Sequence, residues 1–161
     1  MSMSNEVQGL VSAALYLRSR KLTAQVISSQ IGLVPTRVQQ QGDVLTAQTI
    51  WEEGGSTLEL KLPRSPFHSF ILEVERIVDN PTDDSAAKQL ELVLDELLTQ
   101  VESASDRIAQ LGDQISANLI CSCSHHNTID WLRLSADMLR RIVALKLPLM
   151  ICLLPLQERK E

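Results

Sequence analysis

The sequence predicts an α+β domain of the ferredoxin-like type, in which a mainly antiparallel sheet carries helices on one face. Two observations lead to this prediction. Apolar and polar residues alternate as in half-buried strands over residues 11–19 and again over 115–124. Each segment precedes a short helical pattern and another strand-like run, and the helical stretches "LTAQVISSQIGLVP" and "LSADMLRRIVALKLP" are weakly alike. The chain therefore reads as two β-α-β halves separated by a helical insertion.

The length of 161 residues fits a single domain over residues 1–161. We predict that residues 7–62 form the first half, 63–112 the helical segment and 113–157 the second half. The apolar fraction of 44% and the charged fraction of 22% are ordinary for a soluble globular protein.

The first half begins with a strand whose inward face carries Val11, Ala13, Leu15 and Leu17. A helix follows, with Thr23 as its N-cap and Gly32 as its stop. The segment "QTIWEEGGSTLELKL" predicts a further strand, folded as a hairpin at Gly54-Gly55.

The helical segment is predicted to open at Ser65-Pro66, an N-cap followed by proline, and to run to about Val78. A second helix from Ser85 carries an apolar stripe. Its opposite face is acidic and is interpreted as a solvated surface: Glu91, Asp95, Glu96 and Glu102. A short helix is predicted for residues 106–111.

The second half contains the strand 115–124, a helix capped by Ser135 and the final strand "LMICLL". The polar faces of the first and third strands indicate a second sheet face that is open or covered by another subunit. With the apolar final strand, this predicts a homodimer.

Charge and composition exclude several classes. The net charge of −5 argues against nucleic-acid binding, and 3% aromatic residues argue against a base-stacking platform. The N-terminus lacks a signal-peptide pattern, and the longest apolar run, "LPLMICLLPL", is too short to span a bilayer. We expect a cytoplasmic protein without a membrane partner.

The segment "LICSCSHHNTIDW" raises the question of a metal site. On a strand, Cys121, Cys123 and His125 would point the same way, and Cys152 on a neighbouring strand would join them as a soft ligand. The same face, however, carries apolar residues of the core. We therefore predict that Cys121 and Cys123 are buried and unmetallated. A thiol- or metal-dependent enzyme, or a metal-binding protein, centred on Cys121, Cys123 and His125 is the alternative.

The stretch "ALYLRSRKLTAQVISSQIGLVPTRVQQQGD", followed by a strand tryptophan, resembles a bacterial domain-of-unknown-function family, DUF4279. The matching residues are Leu22, Thr23, Ile27, Ile31, Gly32, Leu33, Pro35, Thr36, Gly42, Asp43 and Trp51. "LSADMLRRIVALKLPLMI" is similar to the family's closing helix and strand. The resemblance implies no particular activity.

These matches include a candidate binding pocket beside the arginines that end the first strand. The residues of this candidate site are Arg18, Arg20, Thr36, Arg37, Asp43 and Trp51. Arginine beside an aromatic ring suits an anionic ligand or a partner's carboxylate. The structural alternative gives Asp43 a turn role, in which it pairs with Arg37 or a backbone amide, and Trp51 a core role.

The chain contains no nucleophile elbow, P-loop or dinucleotide fingerprint. We therefore predict a binding or interaction module without catalytic activity or cofactor, whose partner is a protein or a small ligand. By analogy with other small bacterial domains, a regulatory or toxin-neutralising protein is expected.

Overall fold

The computed structural model describes residues 8–44, 64–79, 82–125 and 132–155. The strands within these ranges are β1 (Gln8–Ser19), β2 (Arg37–Gln39), β3 (His68–Asp79), β4 (Ser116–His125) and β5 (Leu149–Pro155). The α-helices are α1 (Ala24–Ile31), α2 (Asp83–Glu102), α3 (Ser105–Leu111) and α4 (Ala136–Ala144). A 3-10 turn, Gly112–Gln114, links α3 to β4. The strand expected around Trp51 and the hairpin at Gly54-Gly55 lie outside the described residues.

The strands form one sheet in the order β2-β3-β1-β4-β5. The pairs β2–β3, β3–β1 and β1–β4 are antiparallel, whereas β4 and β5 are parallel. The prediction of a mainly antiparallel sheet is therefore wrong, because the sheet is mixed. The parallel pair arises from the predicted β-α-β unit of the second half, since a crossover helix between two adjacent strands returns the chain in the same direction.

β1 lies at the centre of the sheet and pairs along its length with both β3 and β4. Leu15 is opposite Leu72 on one side and Leu119 on the other. The connection from β1 through α1 to β2 passes over β3, and the connection from β3 through α2 to β4 passes over β1. Each helix therefore links two strands that flank a third.

The helix predicted for residues 65–78 is wrong, because this stretch forms β3, so the segment 63–112 is only partly helical. Ser65 does not cap a helix. Its hydroxyl donates to the Phe67 carbonyl at 2.8 Å and accepts from the Phe67 amide at 3.2 Å. The following residues 70–72 are all buried because both faces of the sheet are covered. A strand buried on both faces reads as a continuous apolar run and loses its alternation.

The helices pack on one face of the sheet, where they form the main core with the inward residues of β1. The predicted apolar stripe of α2 is confirmed, and each of its residues is fully buried: Leu90, Val93, Leu94, Leu97, Leu98 and Val101. The predicted caps are also confirmed. The Thr23 hydroxyl accepts from the Val26 amide, Ser135 does the same for Met138, and Gly32 ends α1 at a φ of 73°.

The opposite sheet face is not open, contrary to the sequence-based expectation. A smaller cluster of buried residues lies there, composed of Ala14, Tyr16, Ile71 and Ile120. Tyr16 is only 1% exposed. The argument for a second subunit on this face is therefore removed. None of the helices within the described residues combines the length and apolar character that crossing a membrane requires.

Candidate functional site

Polar side chains gather on the face opposite the helices, in two neighbouring cross-strand rows. Gln39 of β2 is opposite Ser69 of β3, which in turn is opposite Arg18 of β1. We call these three residues the polar row. The adjacent row places Arg37 of β2 on the same face as Tyr16 of β1, because both are register partners of one β3 residue. Opposite residues on paired strands have Cβ atoms only about 5 Å apart, so the polar row is contiguous.

Aromatic rings surround the guanidinium of Arg18. Its Cζ atom is 5.2 Å from the centre of the Phe67 ring and 5.9 Å from that of Tyr16. The Cζ atom of Arg20 is also 5.2 Å from the Phe67 ring centre. Contact with an aromatic face occupies the flat side of a guanidinium and leaves its N–H edge available for in-plane hydrogen bonds.

Within the described part of the chain, the polar row contains three buried atoms without a hydrogen-bond partner: Gln39 Oε1, Ser69 Oγ and Arg18 Nε. Ser69 is fully buried. Leaving a buried polar group unsatisfied costs about 1–3 kcal/mol, so such atoms are uncommon and call for a partner. The row offers an acceptor at Gln39, a donor at Arg18 and a hydroxyl able to do either at Ser69.

Arg37 contributes a second cation to this face. Its Nη2 atom is 3.9 Å from Oε2 of Glu73, and the two side chains are 34% and 15% exposed. The separation is near the upper limit for an ion pair, and pairs of this kind stabilise by less than about 1 kcal/mol. The pair with Glu73 therefore contributes little to stability.

Thr36 serves the backbone. Its hydroxyl donates to the Ile71 carbonyl at 3.2 Å and accepts from the Glu73 amide at 2.9 Å. Its own amide donates to the same carbonyl at 2.8 Å. These three hydrogen bonds hold the start of the short strand β2 against β3.

Asp43 also serves the backbone. Its Oδ2 atom accepts from the Gln40 amide at 2.7 Å, and its own amide donates to the Gln40 carbonyl at 3.1 Å. Gly42, at a φ of 93°, allows the chain to reverse at this point. The structure therefore brings Arg18, Arg20 and Arg37 to one side of the sheet but uses Thr36 and Asp43 in turns and pairing, and Trp51 lies outside the described residues.

Sequence reasoning missed Gln39, Ser69 and Phe67 as members of this site. No local motif marks them. They meet Arg18 only through the register of β3 with β1 and β2, and β3 was expected to be a helix. The short alternation of Leu72, Glu73, Val74 and Glu75, beyond the continuous apolar run, is the signal that favours a strand for this segment.

The three cysteines do not share one sheet face, as the metal-site alternative requires. Cys121 and Cys123 are each 1% exposed and belong to the core beneath the helices, so their predicted burial is confirmed. Cys152 is opposite Ser122 and packs against the cluster on the other sheet face. The idea that Cys152 joins the other two thiols is therefore wrong. The side chain of His125 lies outside the described residues. Among those that are described, no three histidine, cysteine, aspartate or glutamate residues are grouped to hold a metal ion.

Burial sets the acidity of these thiols. It raises the pKa of Cys121 from 9.0 to about 12, with smaller contributions from the neighbouring Cys123 and Cys152 thiols. Burial likewise raises the pKa of Cys123 to about 11. Because the thiolate is the reactive form, both residues are poor nucleophiles at neutral pH.

The fold and the site define a mixed α/β domain whose sheet is covered by helices on one face and carries an arginine-bearing polar row on the other. A family model described as "Domain of unknown function (DUF4279)" matches residues 9–156, and the chain belongs to this family. The resemblance seen in the sequence is thereby confirmed. No curated protein and no solved structure matches the chain.

Proposed function

We propose that this protein is a binding or interaction module without catalytic activity, which takes a polar, anionic group of a small ligand or of a partner protein at the polar row. The observation that carries the proposal is the set of three buried, unsatisfied atoms at Gln39, Ser69 and Arg18. The N–H edge of the Arg18 guanidinium, with the Ser69 hydroxyl beside it, suits a carboxylate. The Gln39 acceptor at the far end of the row suits an N–H or O–H group of the same ligand.

The arrangement of aromatic rings supports the proposal. Phe67 and Tyr16 restrict the guanidinium of Arg18, so a ligand that binds its edge meets a group that is already oriented. Preorganisation of this kind lowers the entropic cost of binding. The rival account is that ordered water satisfies the three atoms, because buried polar groups often bind water.

The proposal is tested with N-acetylglycine, which combines a carboxylate with an amide N–H, and with N-acetylglycine amide, which lacks the negative charge. We expect the acid to perturb the NMR signals of Ser69 and of the Arg18 Nε–H group. The neutral amide should bind at least tenfold more weakly, the scale of one charged hydrogen bond.

Two matched variants complete the experiment. Arg18→Met keeps an apolar stem and removes the donors, and it should abolish the preference for the acid. Arg140→Met removes an arginine whose side chain is 76% exposed on α4 and should change nothing. Equal binding of acid and amide, or an undiminished preference in Arg18→Met, would rule out the polar row as an anion site.

We also propose that the first four strands form a ferredoxin-like core to which α4 and β5 are added. The order β2-β3-β1-β4 supports this, since all its neighbours are antiparallel and each of two helical links passes over an intervening strand. β5 then extends the sheet beside β4.

We propose further that two copies associate through β5. This strand carries no charge from Leu149 to Pro155, and Ile151 and Leu153 are 44% and 48% exposed. Ile151 and Leu153 point to the helix side of the sheet, where α4 also packs, and Val143 of α4 is 72% exposed. An uncharged edge strand is self-complementary in antiparallel pairing about a two-fold axis.

A bacterial, cytoplasmic setting and a regulatory or toxin-neutralising role complete the proposal. All three cysteines are free thiols, which supports a reducing compartment. The biological role itself is supported only by analogy with other small interaction domains.

A further inference from the structure

A separate cavity lies on the helix side of the sheet, away from the polar row. Its volume is about 240 Å³. It is bounded by the end of α2, by α3, by the start of β4 and by the chain that follows α4. Its walls are mainly apolar: Val101, Ile108, Ile115, Ala117, Leu145 and Leu147.

Lys146, an exposed residue, lines the same cavity and is the only charged residue among the described residues that line it. Among the described residues, the Lys146 ammonium makes no ion pair. Its backbone has a φ of 55°, the left-handed conformation that residues with a Cβ atom rarely adopt. The Lys146 amide donates to the Val143 carbonyl at 3.0 Å, which fixes the point where the lysine leaves α4.

Left-handed backbone at a helix end is ordinarily supplied by glycine, which has no steric penalty there. A lysine in that position sacrifices some stability and places a cation at the cavity. Strain of this sort is concentrated at ligand sites. The combination of an apolar cavity with a single cation is complementary to an amphiphile with one negative charge.

We propose that this cavity binds a small amphiphilic monocarboxylate, whose apolar body fills the cavity and whose carboxylate pairs with Lys146. At about 30 Å³ for each water-sized group, the volume accommodates about eight such groups. Hexanoate has this size. The site is independent of the polar row, because it shares no residue with it and lies on the other face of the sheet.

Binding is measured by NMR titration of the full chain with hexanoate, 1-hexanol and hexylamine, which share one apolar body. Hexanoate should shift the amides of Ala117, Leu145 and Lys146 with saturation. It should bind at least tenfold more tightly than hexylamine, with hexanol between them. Equal affinity of all three, or shifts without saturation at millimolar hexanoate, would overturn the proposal.

Variants separate the two parts of the site. Lys146→Met retains the apolar stem and should reduce hexanoate binding to the level of hexanol. Ala109→Leu, at an exposed position that lines the cavity, should weaken binding of hexanoate and hexanol alike. Lys88→Met removes an exposed lysine elsewhere and should alter neither. If Lys146→Met leaves the preference for hexanoate over hexanol intact, Lys146 is not the anion partner.

Discussion

The guanidinium of Arg141 on α4 donates two hydrogen bonds to the carboxylate of Glu102 on α2, from Nε at 2.7 Å and from Nη2 at 3.1 Å. Its Nη1 atom donates to Asp95, which lies about two turns before Glu102 on the same helix. Glu91, nearer the start of α2, accepts the amide of Ser135 that begins α4. The hydrogen bonds that Arg141 donates to Glu102 and Asp95 raise its pKa above the ordinary value. The acidic face of α2, interpreted from the sequence as solvated, therefore anchors α4.

Replacing Arg141 with Met should destabilise the protein by about 1 kcal/mol, because a multiply bonded, partly buried charge contributes more than an exposed pair. Urea unfolding measures the loss. The matched control is Arg140→Met, whose partner Asp137 lies in the same helix, and it should cost less than about 0.5 kcal/mol. Equal losses in the two variants would contradict the anchoring role.

The three thiols should differ in reactivity towards a bulky reagent in the native protein. Cys152 is partly exposed and should react first, whereas Cys121 and Cys123 should react only when the protein unfolds. Mass spectrometry of peptides labelled over time identifies each site. Fast labelling of Cys121 and Cys123, or stoichiometric zinc in protein purified without chelator, would favour the metal or thiol-enzyme alternative.

Alkaline pH should lower stability through the same buried thiols. The folded pKa values of Cys121 and Cys123, about 12 and about 11, lie above the ordinary 9.0. The stability that the neutral thiols contribute is therefore fully present below pH 9 and is lost as the pH rises through the folded values. Between these limits each thiol reduces the free energy of unfolding by about 1.4 kcal/mol per pH unit. Urea unfolding at pH 8 and pH 10 should show a smaller loss in Cys123→Ala than in the wild type. An unchanged pH dependence in Cys123→Ala would show that this thiol titrates normally in the folded state.

Arg37 and Thr36 are neighbours with different expected roles, and mutation distinguishes them. Thr36→Val removes two hydrogen bonds that hold β2 against β3 and should cost about 1–2 kcal/mol in thermal or urea unfolding. The ion pair of Arg37 with Glu73 is weak, so Arg37→Ala should lower the melting temperature less than Thr36→Val does, while it reduces binding at the sheet face. A large loss of stability in Arg37→Ala, with binding intact, would establish a structural role for this arginine.

Association through β5 should be visible in sedimentation equilibrium. At micromolar concentration we expect a species of twice the 17.9 kDa chain mass. Leu153→Lys places a charge on the edge strand and should give the monomer, because inward or edge charges block strand addition. Val26→Lys, a similarly exposed apolar position on α1, should not. A wild-type protein that sediments only as the monomer rules out the dimer.

Local chemistry explains which elements were predicted correctly. A hydroxyl that accepts an amide three residues on, as at Thr23 and Ser135, or a glycine with positive φ, as at Gly32, requires only nearby residues. Such signals placed α1 and α4 with their caps. At Ser65 the same signal misled, because a hydroxyl bonded to the amide two residues on makes a turn and not a helix.

The candidate site was predictable only in part, since it depends on long-range pairing. Arg18 and Arg37 were identified from their positions, but Gln39 and Ser69 enter through contacts across three strands. A sequence pattern reports which face of a strand a residue occupies. It does not report which strand lies beside it, and that information determines whether buried polar atoms meet.

The central position of β1 affects how the chain is synthesised and folded. β1 precedes both of its partner strands, residues 68–79 and 116–123, so its pairing remains incomplete until most of the chain has left the ribosome. Its residues 13–17 are buried on both faces in the native state and are therefore exposed together during that interval. Such long-range pairing slows folding, and the exposed apolar strand is prone to aggregate. The nascent chain is for this reason expected to depend on chaperones more than its small size suggests.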